Sequence, residues 1–195
     1  MPKKVDHDAR RVELAAAVLA VIERDGIEGV TVRRVAAEAG WSRGVVEHYF
    51  DTREDLLLFA YRLGLARTRE DWLSRVGRSP MEDLREWLLA TLPLDGPSIL
   101  NHAIYLGFAG TAARRPELAA AVEAEGEELT QLTTDLLARC VDEGLLAPPF
   151  PMDLAVDALA TFVDGLGLNI VMSPGRYTSD HARLVLESFL EAWAI

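Results

Sequence analysis

The residues best equipped to meet another molecule fall within positions 31–50, TVRRVAAEAGWSRGVVEHYF. Arg43 offers a forked cation that pairs with a phosphate or with the edge of a guanine. Ser42, His48 and Tyr49 carry groups that donate to phosphate oxygens. Gly44 lets a backbone approach a partner closely, and Val45 offers a methyl surface suited to a thymine methyl. Helix starts near Thr31 and Arg53 would leave backbone N–H groups open to an anion. Arg33 and Arg34 add charge beside them, and Lys3, Lys4, Arg10 and Arg11 could form an N-terminal arm. These are groups for holding a polyanion and reading base edges.

The elements that would present these groups are two short helices. Val32, Val35, Ala36 and Ala39 repeat at three- and four-residue steps, which predicts one amphipathic helix with Thr31 as its cap. Ala36 is small enough to let a second helix cross closely. Gly40, four residues on, supplies the positive φ of a tight turn. Ser42 then caps a helix from Arg43 to about Phe50, with Val46 returning to the shared core. Small residue, glycine and aliphatic at these intervals form a helix-turn-helix signature, whose second helix enters the DNA major groove. A preceding helix carries Val12, Ala15, Ala16, Leu19 and Ile22 on one stripe and closes at Asp25-Gly26.

The rest of the chain is also helical. Asp51 or Thr52 caps a helix running to roughly Val76, and further helices are predicted over 81–92, 98–113, 116–144, 153–172 and 179–193. The expected fold class is all-α with nine or ten helices. A three-helix DNA-binding domain over 8–53 (motif 31–50) would precede a larger helical bundle over 54–195.

Charge divides the chain at the same place. Residues 1–53 carry nine basic and nine acidic side chains; 54–195 carry eleven and twenty-two, so the whole net charge of −11 lies there. Such asymmetry points to divided labour. The single Cys140 excludes a disulfide scaffold, a zinc finger and a cysteine-ligated iron–sulfur protein, and fits a reducing compartment. No apolar stretch of signal-peptide length follows the basic start. The longest uncharged run, 96–113, contains Asn101, His102, Gly107 and Gly110, too polar for a lone membrane span. It reads as a helix buried on all sides, in a cytoplasmic protein with no membrane partner. No Glu-x-x-His pair, His-Glu-x-x-His or glycine-rich phosphate loop is present. Glu123, Glu125, Glu127 and Glu128 read as a solvated face, so neither an enzyme, a metal nor a cofactor is expected.

Residues 1–65 resemble the DNA-binding domain of the TetR family of bacterial regulators. The resemblance rests on DGIEGVTVRRVAAEAG, the SRG turn, Tyr49-Phe50 and TREDLLLFAYR, in register over four helices. His48–Phe50 and ALATFVDGLGLNIVMSPGRYT (158–178) are most similar to the BetI-type branch. The resemblance implies a ligand-responsive regulator, by family default a repressor. It would bind a palindromic double-stranded operator as a homodimer and be released by a small-molecule effector of unknown identity. DNA contacts would come from Thr31, Arg33, Ser42, Arg43, Gly44, Val45, His48, Tyr49 and Arg53. Two positions depart from the family pattern: Glu47 stands where many members have tyrosine, and Arg53 where they have lysine. An acid beside DNA repels phosphate unless it accepts from a cytosine amine or pairs with Arg43, one turn earlier. A helical small-molecule-binding dimer without specific DNA binding is the alternative.

Two stripes suit a dimer seam: Leu118, Val122, Leu129, Leu132 and Leu136, then Leu159, Phe162, Val163, Leu166 and Ile170. Doubled by a two-fold axis, they would make a four-helix interface. Trp72, Trp87, His102, Tyr105, Phe108 and Phe162 are the candidate ligand contacts. Tryptophans in an acidic segment suit a cation through cation–π contacts, in keeping with the choline-type ligand the BetI resemblance implies.

Overall fold

Helix ends in this chain are written in its polar residues. A computed structural model describes residues 7–77 and 79–195; Lys3 and Lys4 of the suggested arm lie outside them. Among the described residues there are nine α-helices and no strand. They are α1 (His7–Asp25), α2 (Val32–Ala39), α3 (Arg43–Glu47), α4 (Arg53–Leu73), α5 (Pro80–Thr91), α6 (Gly96–Ala112), α7 (Pro116–Asp142), α8 (Met152–Met172) and α9 (Ser179–Glu191), with a 3₁₀ turn at Ile27–Gly29.

Thr31 is extended and its hydroxyl accepts from the Arg34 N–H at 3.3 Å. Gly40 closes α2 in the left-handed region, φ 68°. The Trp41 N–H donates to the Ala36 carbonyl and the Gly40 N–H to that of Ala37, so the last carbonyls of α2 are satisfied in a Schellman turn. At α4, Thr52 and Asp55 cap reciprocally: each backbone N–H donates to the other's side chain, at 2.8 and 3.1 Å. The cap is therefore Thr52 and not Asp51. Ser42 corrects an expectation, because its hydroxyl makes no capping hydrogen bond. α3 also ends at Glu47 and not Phe50; a turn follows, with the Phe50 N–H donating to the Val46 carbonyl at 3.0 Å. Thr31→Ala is expected to cost about 1 kcal/mol through the lost cap, measured as a lowered urea midpoint.

The chain divides into two compact units. The first comprises residues up to Leu65 together with Ala103–Ala121. Leu14, Val18, Val35, Val46, Leu56 and Phe108 are fully buried there. Ile27 seats against α6 at Gly107, where an added Cβ would fall 2.6 Å from Ile27 Cγ2. Tyr61 stacks on Phe108, centroids 4.9 Å apart, and Arg115 pairs with Glu54 at 3.0 Å. The later turns of α6 thus pack with the N-terminal helices, beyond the 8–53 segment.

The second unit comprises Ala66–His102 and Val122–Ile195. Its core gathers Trp87, Leu137, Leu159 and Leu186 with the fully buried Cys140. Burial pushes the Cys140 thiol up to about 11, so it holds its proton at neutral pH and is no thiolate nucleophile. Asp83 is a buried carboxylate that accepts from the Gly77 N–H at 2.7 Å and from Arg139 Nη1 at 3.3 Å.

Two expectations are corrected by burial. The stripes offered as a dimer seam belong largely to the chain's own core: Leu136, Leu159, Val163, Leu166 and Ile170 are buried, and Leu129, Leu132 and Phe162 pack against them. Helical periodicity marks a covered face but not what covers it. Among the large apolar residues left exposed are Leu154, Leu168 and Met172 on α8 and Leu184 on α9. α8 also exposes Asp153, Asp157 and Asp164, and alone among the described residues it has the length and hydropathy of a membrane span. The uncharged run is likewise not covered all round. Ile99, Ala103 and Gly110 are exposed on one side of α6.

Candidate nucleic-acid interface

Val46 is fully buried and fixes how α3 is rotated about its own axis. With 100° between successive residues, burying Val46 turns Gly44 and His48 to the opposite side and Glu47 to the flank; Arg43, at the first turn, is exposed as well. Ser42 and Arg33 are exposed too, while Thr31, Val45 and Tyr49 are half-buried. A Cβ built on Gly44 would meet nothing within 4 Å, so the helix surface is unobstructed there. Eight of the nine suggested DNA contacts thus line one stretch from Thr31 to Tyr49. The short helix presents its polar residues on one ridge.

Arg53 sits differently. Its Nε donates to the Val30 carbonyl and its Nη2 to that of Ile27, both at 3.0 Å, with Glu28 at 3.3 Å. The guanidinium clamps the turn between α1 and α2. The Arg53 side chain remains 31% exposed.

Glu47 accepts from Arg43 Nε at 2.6 Å across one helical turn, which is the pairing that makes an acid tolerable on this face. Trp41 is a residue the sequence reading missed. Arg10 lies over its ring at 5.4 Å and Tyr49 is 6.4 Å away, centroid to centroid. Arg10 is thereby engaged at the turn and not extended as an arm. An aromatic directly after the turn glycine was the available signal. The string Gly40-Trp41-Ser42-Arg43-Gly44 also has the letters of a nucleophile elbow. That motif needs a strand leading into a helix, and here it joins two helices.

The six aromatic candidates divide between the units. Tyr105 and Phe108 lie in the first, Trp72, Trp87, His102 and Phe162 in the second. Trp72 and Trp87 meet edge to face at 5.5 Å. Their N–H groups donate to the Asp83 carbonyl and to Thr133 Oγ1, at 3.1 and 2.9 Å. His102 is buried, its ring so close to α8 that a Cβ at Gly167 would fall 2.5 Å from Cε1. Burial lowers its pKa, which favours the neutral imidazole. Phe162 stacks on Phe189 at 4.0 Å. Among the described residues no three His, Cys, Asp or Glu side chains cluster as metal ligands would.

Residues 80–194 match the family described as BetI-type transcriptional repressor, C-terminal, and residues 14–59 match bacterial regulatory proteins of the tetR family. The chain is 29% identical over 194 residues to the HTH-type transcriptional regulator PksA of Bacillus subtilis (strain 168), covering 98% of this chain and 93% of that one. It is 29% identical over 195 residues to BetI of Stenotrophomonas maltophilia (strain R551-3), covering 98% and 96%. A solved transcriptional regulator from Rhodococcus sp. Rha1 superposes with a TM-score of 0.80 at 27% identity, over 94% and 95% of the two chains. One from Saccharomonospora viridis, solved in complex with choline, gives 0.83 at 19% identity over 95% and 97%.

Proposed function

This chain belongs to the TetR family of bacterial transcriptional regulators and carries a BetI-type C-terminal domain, and on that premise we propose that it represses transcription by binding a palindromic operator as a homodimer and leaves it when a small molecule binds. It is a regulator and not an enzyme. The observation that carries the DNA-binding proposal is the outward face of α3, held by the left-handed Gly40 and the buried Val46. Arg43, Ser42, Gly44, Val45 and His48 would meet the groove. Thr31, Arg33, Tyr49 and the first-turn N–H of Arg53 would meet phosphates. We assign this role to 8–53, and dimerisation and effector binding to 54–195, in a cytoplasmic protein.

A lone short helix reads few base pairs, and two-fold symmetry supplies the second half-site one helical turn of DNA away or a multiple of it. Large apolar side chains left exposed on one helix side mark a surface for a partner. Leu154, Leu168 and Met172 of α8, with Leu184 of α9, are exposed in the single chain, and we assign them to the dimer seam. Leu168→Glu is expected to shift the protein from dimer to monomer in sedimentation velocity. It should weaken operator binding without changing the helical signal.

For the effector we propose a small organic cation. The acidic C-terminal segment favours one, and the choline found in the structural relative belongs to that class. His102, Phe162 and Tyr105 are among the candidate contacts. Trp72, Trp87 and Phe108 complete the candidate set. Gel shifts with the DNA upstream of its own gene test the whole reading. A retarded complex that weakens steeply with salt and dissociates with millimolar choline is the expected result. Glu47 on the exposed face is what favours the alternative, an effector-binding dimer without operator affinity. That alternative predicts no sequence-selective complex even at low salt.

A further inference from the structure

We propose that Glu47 is a positioning residue for base readout: it holds the Arg43 guanidinium by Nε and leaves the other edge to address a guanine in each operator half-site. This rests on the DNA-binding reading above. Arg43 is the first residue of α3, and the N-terminal residues of such a helix are those that reach base edges. The Nε–Oε1 distance of 2.6 Å places the carboxylate on one side of the fork. A guanidinium has five N–H donors. With Nε taken, the edge formed by the two terminal nitrogens remains, and that edge matches the O6 and N7 acceptors of guanine bidentately.

The pairing also restricts a long side chain before DNA arrives. Arginine loses rotamer freedom when it is fixed in a groove, and restraint in the free protein reduces that loss. Both side chains are largely in solvent, 72% and 41% exposed, so the pair adds little to folding stability. The negative charge has a second consequence. Glu47 opposes phosphate wherever the helix lies on DNA without a guanine for Arg43, which penalises every non-cognate register. One acid thus raises affinity at the right base pair and lowers it elsewhere, which is how specificity is built from attraction and repulsion together.

The test selects duplexes from a randomised pool with the wild-type protein. Relative affinities of wild type, Glu47→Ala and Glu47→Gln are then measured on the selected site and on copies changed at single base pairs. The wild-type sites are expected to carry a fixed guanine at one symmetric position. Glu47→Ala should reduce discrimination at that pair about tenfold, leave the other positions unchanged and bind random duplex more tightly. Glu47→Gln keeps an oxygen that accepts from Nε, so it should retain most of the guanine preference while also gaining random-duplex affinity. In an Arg43→Ala background, removing Glu47 should no longer alter the preference. If Glu47→Ala raises affinity for every duplex alike and keeps the guanine preference, Glu47 is only a repulsive charge and the proposal is wrong. If selected sites have no fixed guanine it is also wrong, although the regulator reading stands. A wild-type protein that enriches no sequence overturns both.

Discussion

Arg43→Ala is expected to lower operator affinity on the order of a thousandfold and to leave the fold intact. A bidentate contact to a base edge contributes about 1–3 kcal/mol of discrimination. In a two-fold symmetric complex the loss occurs once in each half-site, so about 2–6 kcal/mol is removed, and each 1.4 kcal/mol is about tenfold. Stability should hardly change, because the side chain is 72% exposed and its ion pair with Glu47 spans one turn of a solvated helix, worth about 0.3–0.5 kcal/mol. Fluorescence anisotropy across a salt series separates the two roles arginine could have. If Arg43 reads a base, the slope of log affinity against log salt stays near the wild-type value while the intercept falls. If it only neutralises phosphate, the slope shrinks by about one for each half-site and random duplex weakens equally. An affinity within a few-fold of wild type, on a duplex the wild type binds specifically, would remove Arg43 from the reading surface.

The exposed face of α3, proposed to meet DNA, was legible because its determinants are local. Thr31 and Gly40 act on backbone within a few residues of themselves, and Val46 faces inward through helical periodicity alone. The Arg43–Glu47 pair is legible for the same reason, since residues four apart on a helix are neighbours. What failed to show was long-range. Nothing near Arg53 announces that it reaches the carbonyls of Ile27 and Val30. Nothing near Gly107 announces that Ile27 will seat on it, so the grouping of later α6 with the N-terminal helices could not be read from the chain. The dimer stripes failed through a different ambiguity. On α8 the regular leucine spacing marks the inner face, and Leu154, Leu168 and Met172 form a second apolar face behind it, so periodicity could not say which was turned outward. The aromatic set was visible as composition only; hydrogen-bond partners, such as Thr133 for Trp87, lie on another helix, 46 residues further along the chain.

Trp87→Ala is expected to destabilise the protein by about 3–5 kcal/mol, a cost typical of truncating a buried aromatic, and this separates packing from ligand contact. Trp87 is 2% exposed. Its ring meets that of Trp72 edge to face, and its N–H donates to Thr133 Oγ1, which in turn donates to the Leu129 carbonyl. Removing the indole therefore empties a large volume and withdraws a donor from a buried hydroxyl. Single domains are stable by roughly 5–15 kcal/mol, so a loss of this size lowers the urea midpoint, followed by circular dichroism at 222 nm, by a large fraction of its wild-type value. Trp87→Phe fills most of the space and loses only the hydrogen bond, so it should cost about 1–2 kcal/mol. A residue whose main work is to cage a cationic effector behaves in the opposite way. Its alanine variant keeps the wild-type midpoint, and only the choline concentration needed to release DNA rises. A Trp87→Ala protein that unfolds with the wild type but no longer responds to choline would move Trp87 from the core to the effector site. A shared buried network makes the further demand that Thr133→Val and Trp87→Phe be non-additive, since each removes one end of the same hydrogen bond.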